Sequence, residues 1–217
     1  MPNQSTEDYI KSIYKLQKDD DTVMTSTIAR HLHISDGSVT DMMKRLSEKK
    51  LVRYTPYQGV DLTVAGRTLA IKMMRRHRLW EMYLVKFLDF SWDEVHDEAE
   101  RLEHVTSEEM EQRLDKALGY PKVDPHGDPI PTTNGEIAHL HVSALAAMEE
   151  GDQVEIVRVS DDNAAMLQHA TKLGLSLYTK AKVVEKRMFD GSMALTIGKK
   201  KCFVSKQLAE AIFVRHV

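Results

Sequence analysis

Apolar residues recur at helical spacing through the first half of the chain and alternate with polar ones in the last third. The pattern predicts a helical body followed by a β-rich module. Tyr9, Ile10, Ile13, Tyr14 and Leu16 make the buried side of a first helix opened by Ser5, Thr6, Glu7 and Asp8. An acid in a first turn is favoured by the helix dipole, which gives Asp8 an ordinary structural reason to be there. The Asp19-Asp20-Asp21 run reads as a loop. Thr25 or Ser26 caps a short helix that buries Ile28, Ala29 and Leu32, and His33-Ile34 makes a tight turn. Ser35 then caps a second helix with Val39, Met42, Met43 and Leu46 inward. The runs Leu51–Thr55 and Val60–Leu62 flank the turn Pro56-Tyr57-Gln58-Gly59, a hairpin placed as a wing. Thr63 caps a long helix through about Leu88, with Leu69, Met73, Trp80, Leu84 and Phe87 for burial.

Ser91 with Glu94 is a capping-box start, and Trp92, Val95, Ala99, Leu102 and Val105 form the apolar stripe of the helix it opens. Ser107 opens another helix that ends near Leu118, stopped by Gly119 and Pro121. The Pro/Gly-rich stretch from Pro121 to about Gly135 is a rigid loop and a boundary. Beyond Gly151 the period changes to two. Val154–Val159, Lys182–Arg187, Met193–Ile197 and Cys202–Val204 read as strands of a small barrel, with a helix from Ala164 to Leu173 closed by Gly174. Gln207 to Ile212 is a final short helix or turn. The fold class is mainly α with a small β module.

Composition narrows the function classes. The chain has 217 residues, 42% hydrophobic, with a formal net charge of -3, so nucleic-acid binding has to come from a local patch. Such a patch exists: Met24 to Val60 holds six Lys or Arg (Arg30, Lys44, Arg45, Lys49, Lys50, Arg53) against three acids (Asp36, Asp41, Glu48). Cys202 is the single cysteine, which rules out an intrachain disulfide framework and fits a reducing compartment. No signal-like or bilayer-spanning apolar run occurs, so a cytoplasmic protein without a membrane partner is expected. The apolar residues Trp80, Met82, Tyr83, Trp92 and Leu114 exceed what a small monomer needs and predict a homodimer.

Two groups of residues carry candidate chemistry. Helix, tight turn, capped helix and hairpin in that order predict a winged helix-turn-helix. Ser35, Gly37, Ser38, Thr40, Asp41 and Lys44 on the recognition helix, with Tyr57 and Gln58 at the wing, face double-stranded DNA. Small hydroxyl residues there allow close approach to bases and phosphates. The second group is His96, Glu100, Glu103 and His104, which share a helical stripe at i, i+4, i+7 and i+8: either a half-site for a divalent metal or a solvated acidic flank. His77 and Glu81 form a further i, i+4 pair, and Asp124 and His126 are ligands or plain loop polars.

Taken together the sequence resembles the diphtheria toxin repressor family of metal-dependent transcriptional repressors over nearly its whole length. The resemblance is carried by Thr6–Tyr14, Met74–Leu79, His96–Ala99, Glu103-His104-Val105 and Pro125–Pro131. It implies a winged helix-turn-helix over 1–64, a helical dimerisation and metal domain over 65–140 and an SH3-like (FeoA-like) barrel over 141–217. The iron-responsive members carry a Met and a Cys where this chain has Asp8 and Glu100, the residues of manganese-responsive members. The chemistry agrees, since Mn(II) prefers carboxylate and other oxygen donors with some imidazole. The resemblance thus implies a main site of Asp8, Glu100, Glu103 and His104, and a second of His77, Glu81 and His96 completed by His126, Asp124 or Asp161. Lys11 stands where the short manganese regulators carry a ligand Glu. The function so implied is a Mn(II)-dependent repressor of metal-uptake genes acting on palindromic operators, with an iron- or zinc-responsive repressor as the alternative. A metallohydrolase would need an open coordination position beside a cleft, and no nucleophile or base motif stands apart from the ligands. A metal-free helix-turn-helix regulator with a ligand-binding barrel leaves the ligand stripe unexplained.

Overall fold

A computed structural model describes residues 4–17 and 22–217; the Asp19–Asp21 loop lies outside the described residues. Contacts divide the chain into two compact units. One comprises 1–77, 101–111 and 131–136, the other 78–100, 112–130 and 137–217.

In the first unit, helix α1 (Gln4–Leu16) buries Tyr9, Ile10 and Ile13 against α2 (Thr25–His31) and α3 (Asp36–Glu48). His33 turns the chain with φ 54°, and Ser35 caps α3 by accepting from the Ser38 amide at 3.2 Å. Val39, Met43 and Leu46 are the buried side of α3. Strands β1 (Val52–Thr55) and β2 (Gly59–Leu62) pair antiparallel as the wing, Val52 opposite Leu62, with Tyr57 at the tip. Thr63 caps α4 (Val64–Leu88) by accepting from the Gly66 amide. A Cβ on Gly66 would meet the Leu51 carbonyl at 2.0 Å, so glycine there lets the long helix leave close under the wing. Arg75 and Arg76 are buried on α4 and bind the two oxygens of Glu111 at 3.0 and 2.9 Å.

In the second unit, Leu79 on α4 packs with Leu114, Leu118 and Ile130, flanked by Trp80, Met82 and Tyr83. Helix α5 (Val95–Glu103) starts after Ser91 and Glu94 hydrogen-bond at 2.6 Å, and α6 (Glu108–Leu118) ends at Gly119, φ 79°. A six-stranded antiparallel sheet in the order β3-β8-β4-β5-β6-β7 follows. Its strands are β3 (Ser143–Ala144), β4 (Gln153–Val159), β5 (Lys180–Lys186), β6 (Met193–Ile197), β7 (Lys200–Val204) and β8 (Ile212–His216). Helix α7 (Ala164–Leu173) packs Leu167 and Ala170 into the sheet's core, and α8 (Lys206–Ala211) adds Leu208 and Ala209.

Three sequence expectations are corrected. The short helix expected over Gln207–Ile212 is present as α8, but it is not the final element: it passes into β8, which pairs with both β3 and β4 and buries Ile212 and Val214. Val105 is 80% exposed, because the helix ends at Glu103 and the stripe does not extend past it. Trp92 lies in the turn before α5 and reaches the barrel core instead, its indole donating to Thr171 Oγ1 at 2.8 Å. Among the described residues no helix is long and apolar enough to cross a membrane.

Candidate metal centres

The first cluster belongs to the first unit and is built where α1 meets the end of α5. Asp8 Oδ1 lies 2.9 Å from His104 Nε2, and Glu7 Oε2 lies 2.7 Å from His104 Nδ1. A carboxylate can only accept, so Nδ1 donates to Glu7, and Nε2 is the nitrogen that faces Asp8. The same logic fixes His77, whose Nδ1 is 2.5 Å from Glu103 Oε2. The other Glu103 oxygen binds Lys11 Nζ at 2.6 Å. Glu103 is fully buried, and Lys11 nearly so, at 6% exposure. Glu100 is half-buried on α5, four residues before His104.

The second cluster lies within the second unit and centres on Glu81, which is fully buried on α4. One Glu81 oxygen faces His96 Nδ1 at 3.7 Å, and Asp161 Oδ2 is also 3.7 Å from that nitrogen. The other Glu81 oxygen faces His126 Nδ1 at 3.7 Å, with Asp124 Oδ1 3.9 Å from it. The donor atoms of Glu81, His96 and Asp161, and likewise of Glu81, Asp124 and His126, all lie within 4.8 Å of one another. His126 Nε2 is 2.7 Å from the Trp92 carbonyl, so that nitrogen is the donor and Nδ1 points into the cluster. Nδ1 is buried with no hydrogen-bond partner among the described residues. A Cβ on Gly127, φ 90°, would meet the Val157 carbonyl at 2.1 Å, so this glycine seats the loop on β4. A cavity of about 200 Å³ lined by His96, His126, Asp161, Asp93, Asp97 and Asp162, among others, reaches the cluster.

Charge in this cluster is tuned by burial and neighbours. Burial pulls the His126 imidazole down, but the Glu81 and Asp124 carboxylates outweigh it and raise its pKa to about 9. Burial first, then Glu81 and Asp128, push the Asp124 carboxyl up to about 7 against Arg78 and His126. Asp124 also shapes the backbone here, since its Oδ1 accepts from the His126 and Asp128 amides at 2.8 and 2.9 Å and closes the loop. In the ion-free chain a proton on His126 therefore stands beside Glu81.

Of the residues expected to face DNA, Ser35, Gly37, Ser38, Asp41 and Lys44 are exposed along α3, with Thr40 half-buried, and Tyr57 and Gln58 are exposed at the wing.

Comparison with known proteins gives this geometry its context. Residues 1–60 match the family described as "Iron dependent repressor, N-terminal DNA binding domain", residues 63–132 its "metal binding and dimerisation domain", and residues 144–216 the FeoA domain. The iron-dependent repressor IdeR of Mycobacterium leprae is 41% identical over 160 residues, 70% of each chain. The diphtheria toxin repressor of Corynebacterium glutamicum is 30% identical over 98% of this chain and 96% of its own. The chain belongs to the diphtheria toxin repressor family. A solved structure described as a manganese-dependent transcriptional repressor in complex with manganese superposes with a TM-score of 0.89, at 36% identity over 98% of this chain and 100% of that one.

Family members are metal-dependent, DNA-binding transcriptional repressors, and this chain is one, not an enzyme. The donor set suits a divalent cation: imidazole nitrogens with their other ring nitrogen committed, and carboxylates beside them. Within the first unit the structure brings Asp8 and His104 together. Within the second it brings together Glu81, His96, Asp124, His126 and Asp161. Glu103 departs from the simple ligand role implied by the sequence: both of its oxygens are engaged, by Lys11 and His77. It stands 3.8 Å from His104 Nε2, next to the Asp8 pair. Sequence reasoning missed Glu7, which orients His104, and the Trp92 carbonyl, which orients His126. Glu7 read only as an N-terminal acid, and a backbone carbonyl leaves no mark in a sequence.

Proposed function

We propose that this repressor is activated by Mn(II), held by Asp8, Glu100 and His104 at a main site and by Glu81, His96 and His126 at a second one. The observation that carries the reading is the fixed orientation of the two rings: Glu7 and the Trp92 carbonyl each accept one ring hydrogen, which leaves His104 Nε2 and His126 Nδ1 facing carboxylates. Asp124 and Asp161 complete the second site. The family resemblance adds His77 to that site, although its Nδ1 is engaged by Glu103. Glu103 joins the main site only by releasing Lys11. With Asp8 and Glu100 in place of thioether and thiol donors, every proposed protein donor is oxygen or imidazole, as Mn(II) prefers.

Asp8 lies on α1 of the DNA-binding domain, and Glu100 and His104 lie on and just after α5. When bound, the ion supplies the positive charge that lets these carboxylates and the imidazole share one point, and it acts as a switch only through tighter binding to the DNA-competent arrangement. In a homodimer the two α3 helices would enter successive major grooves about 34 Å apart, on a palindromic operator. The domain bounds we assign are 1–64, 65–140 and 141–217, and the protein acts in the cytoplasm on metal-uptake genes.

The second reading is an Fe(II)-responsive repressor, favoured by the iron-dependent names of relatives at 41% identity. Anaerobic operator binding titrated with Mn(II), Fe(II) and Zn(II) separates the two. Mn(II) should activate at the lowest free concentration relative to its cellular availability, and the double change Asp8→Met with Glu100→Cys should move the response towards Fe(II). A double variant that still responds best to Mn(II) would place selectivity elsewhere.

A further inference from the structure

The metal centres and α3 leave one strongly charged surface of the second unit without an assigned role. Between Lys180 and Lys206 eight Lys or Arg stand against two acids, Glu185 and Asp190, in a chain whose net charge is -3. Five of the lysines gather at one end of the sheet. Lys182 is opposite Thr196, and Thr196 is opposite Lys201. Register partners point to the same face, so Lys182 and Lys201 stand two strand spacings apart, about 10 Å. Lys180 follows on the same face two residues earlier, and Lys199 and Lys200 sit at the β6–β7 turn beside it. All five are exposed. Lys180, Lys182, Lys199 and Lys200 form no ion pair with a carboxylate among the described residues, and Lys201 reaches only Glu185, at 3.9 Å. Holding like charges this close costs free energy that a polyanion would relieve.

We propose that this lysine cluster of the barrel is a second, sequence-independent contact with the phosphate backbone of the DNA that the repressor binds through α3. Two observations favour duplex DNA over an anionic membrane. First, the exposed apolar tip of the β5–β6 hairpin, Met188 and Phe189 at 88% and 85% exposure, lies at the opposite end of those strands from the lysines. At about 3.3 Å per residue that separation is roughly 15–20 Å, and the cations nearer the tip, Lys186, Arg187 and Lys206, are paired with Glu149, Glu185 and Glu210, whereas a membrane surface would be served by an apolar tip and unpaired cations together. Second, a duplex held by α3 presents phosphates at high effective concentration, so contacts too weak to act alone still add to affinity. Lysine, a flexible point charge, suits phosphates of no fixed register.

The test uses the full-length chain with Lys180, Lys182, Lys199 and Lys200 all changed to Gln, with circular dichroism to establish that the fold is kept. Affinity is measured against KCl concentration, with excess Mn(II), on a minimal operator and on the same operator extended by ten base pairs on each side. On the extended duplex the variant should bind about 10-fold or more weakly near 0.15 M salt, with a salt slope shallower by about 2–4. On the minimal operator it should match the parent. The comparison is repeated on an unrelated duplex at low salt without added metal, where phosphate contacts persist; the variant should be weaker there too, so a failure of Mn(II) activation is seen separately and leaves this arm standing. Equal affinity and slope for parent and variant on every duplex would overturn the proposal. So would loss of binding to phosphatidylserine vesicles with DNA binding unchanged, which would make the cluster a membrane contact.

Discussion

Proton competition at the second cluster gives the most direct check on the tautomer argument. His126 has its Nε2 hydrogen committed to Trp92 and a pKa raised to about 9, so at pH 7 Nδ1 also carries a proton, facing the Glu81 carboxylate 3.7 Å away. An ion binding at Nδ1 has to displace it. Two pH units below the pKa this costs about 2.7 kcal/mol, or about 100-fold in apparent affinity. Affinity should therefore rise about tenfold per unit from pH 7 to pH 9, with one proton released per ion, and level off above pH 9. The slope below pH 7 depends on Asp124, whose carboxyl titrates near 7. If its carboxylate must be free to coordinate, the slope steepens towards about two protons; if it remains a loop cap, the slope stays near one. Isothermal titration calorimetry of Mn(II) binding to the His104→Ala protein, in buffers of different ionisation enthalpy, counts those protons at the second site alone. Affinity independent of pH between 6.5 and 8.5, or a slope unchanged by His126→Gln, would refute the assignment of Nδ1 as donor.

Four further outcomes follow from the geometry. Lys11→Met strips the counter-charge from the fully buried Glu103 and should cost about 3–5 kcal/mol of ion-free stability in urea melts; added Mn(II) should restore more of it than it adds to the parent, because Glu103 is released to the main site. Glu7→Ala should weaken Mn(II) binding at the main site about 10- to 100-fold by freeing the His104 ring, whereas Glu7→Gln keeps an acceptor and should recover most of it; equal losses in the two would remove the orienting role. Gly127→Ala places a methyl group against the Val157 carbonyl at a positive φ and should lower thermal stability by about 3 kcal/mol and abolish binding at the second site first; a melt like the parent's would contradict the packing. Lys44→Ala should weaken binding to all duplexes about equally and reduce the salt slope by about one, which filter binding at several KCl concentrations would show.

What could be seen in the sequence was whatever local periodicity and capping dictate. Thr63 before an apolar run of period 3.6, Ser35 before Val39 and Met43, and Gly174 after Leu173 each signal a helix end through hydrogen bonds made within a few residues, and the helices lie where those signals place them. The exposed face of α3 followed from the same period. His77 with Glu81, and His96 with Glu100, could be nominated as ligands because i, i+4 spacing puts metal-binding side chains on one helix surface. The tertiary structure decided what each of those side chains does. Glu103 and His104 are neighbours in sequence, yet one is bound by Lys11 at 92 residues' separation and the other is oriented by Glu7 at 97. Strand β8 is fixed by its pairing with β3 and β4; it follows α8 without a turn or breaker residue between them, so no local signal marks where the helix gives way to it. An imidazole offers two nitrogens that no sequence distinguishes. Which one is free for an ion is set by whatever acceptor the fold brings to the other, and for His126 that acceptor is a main-chain carbonyl 34 residues away.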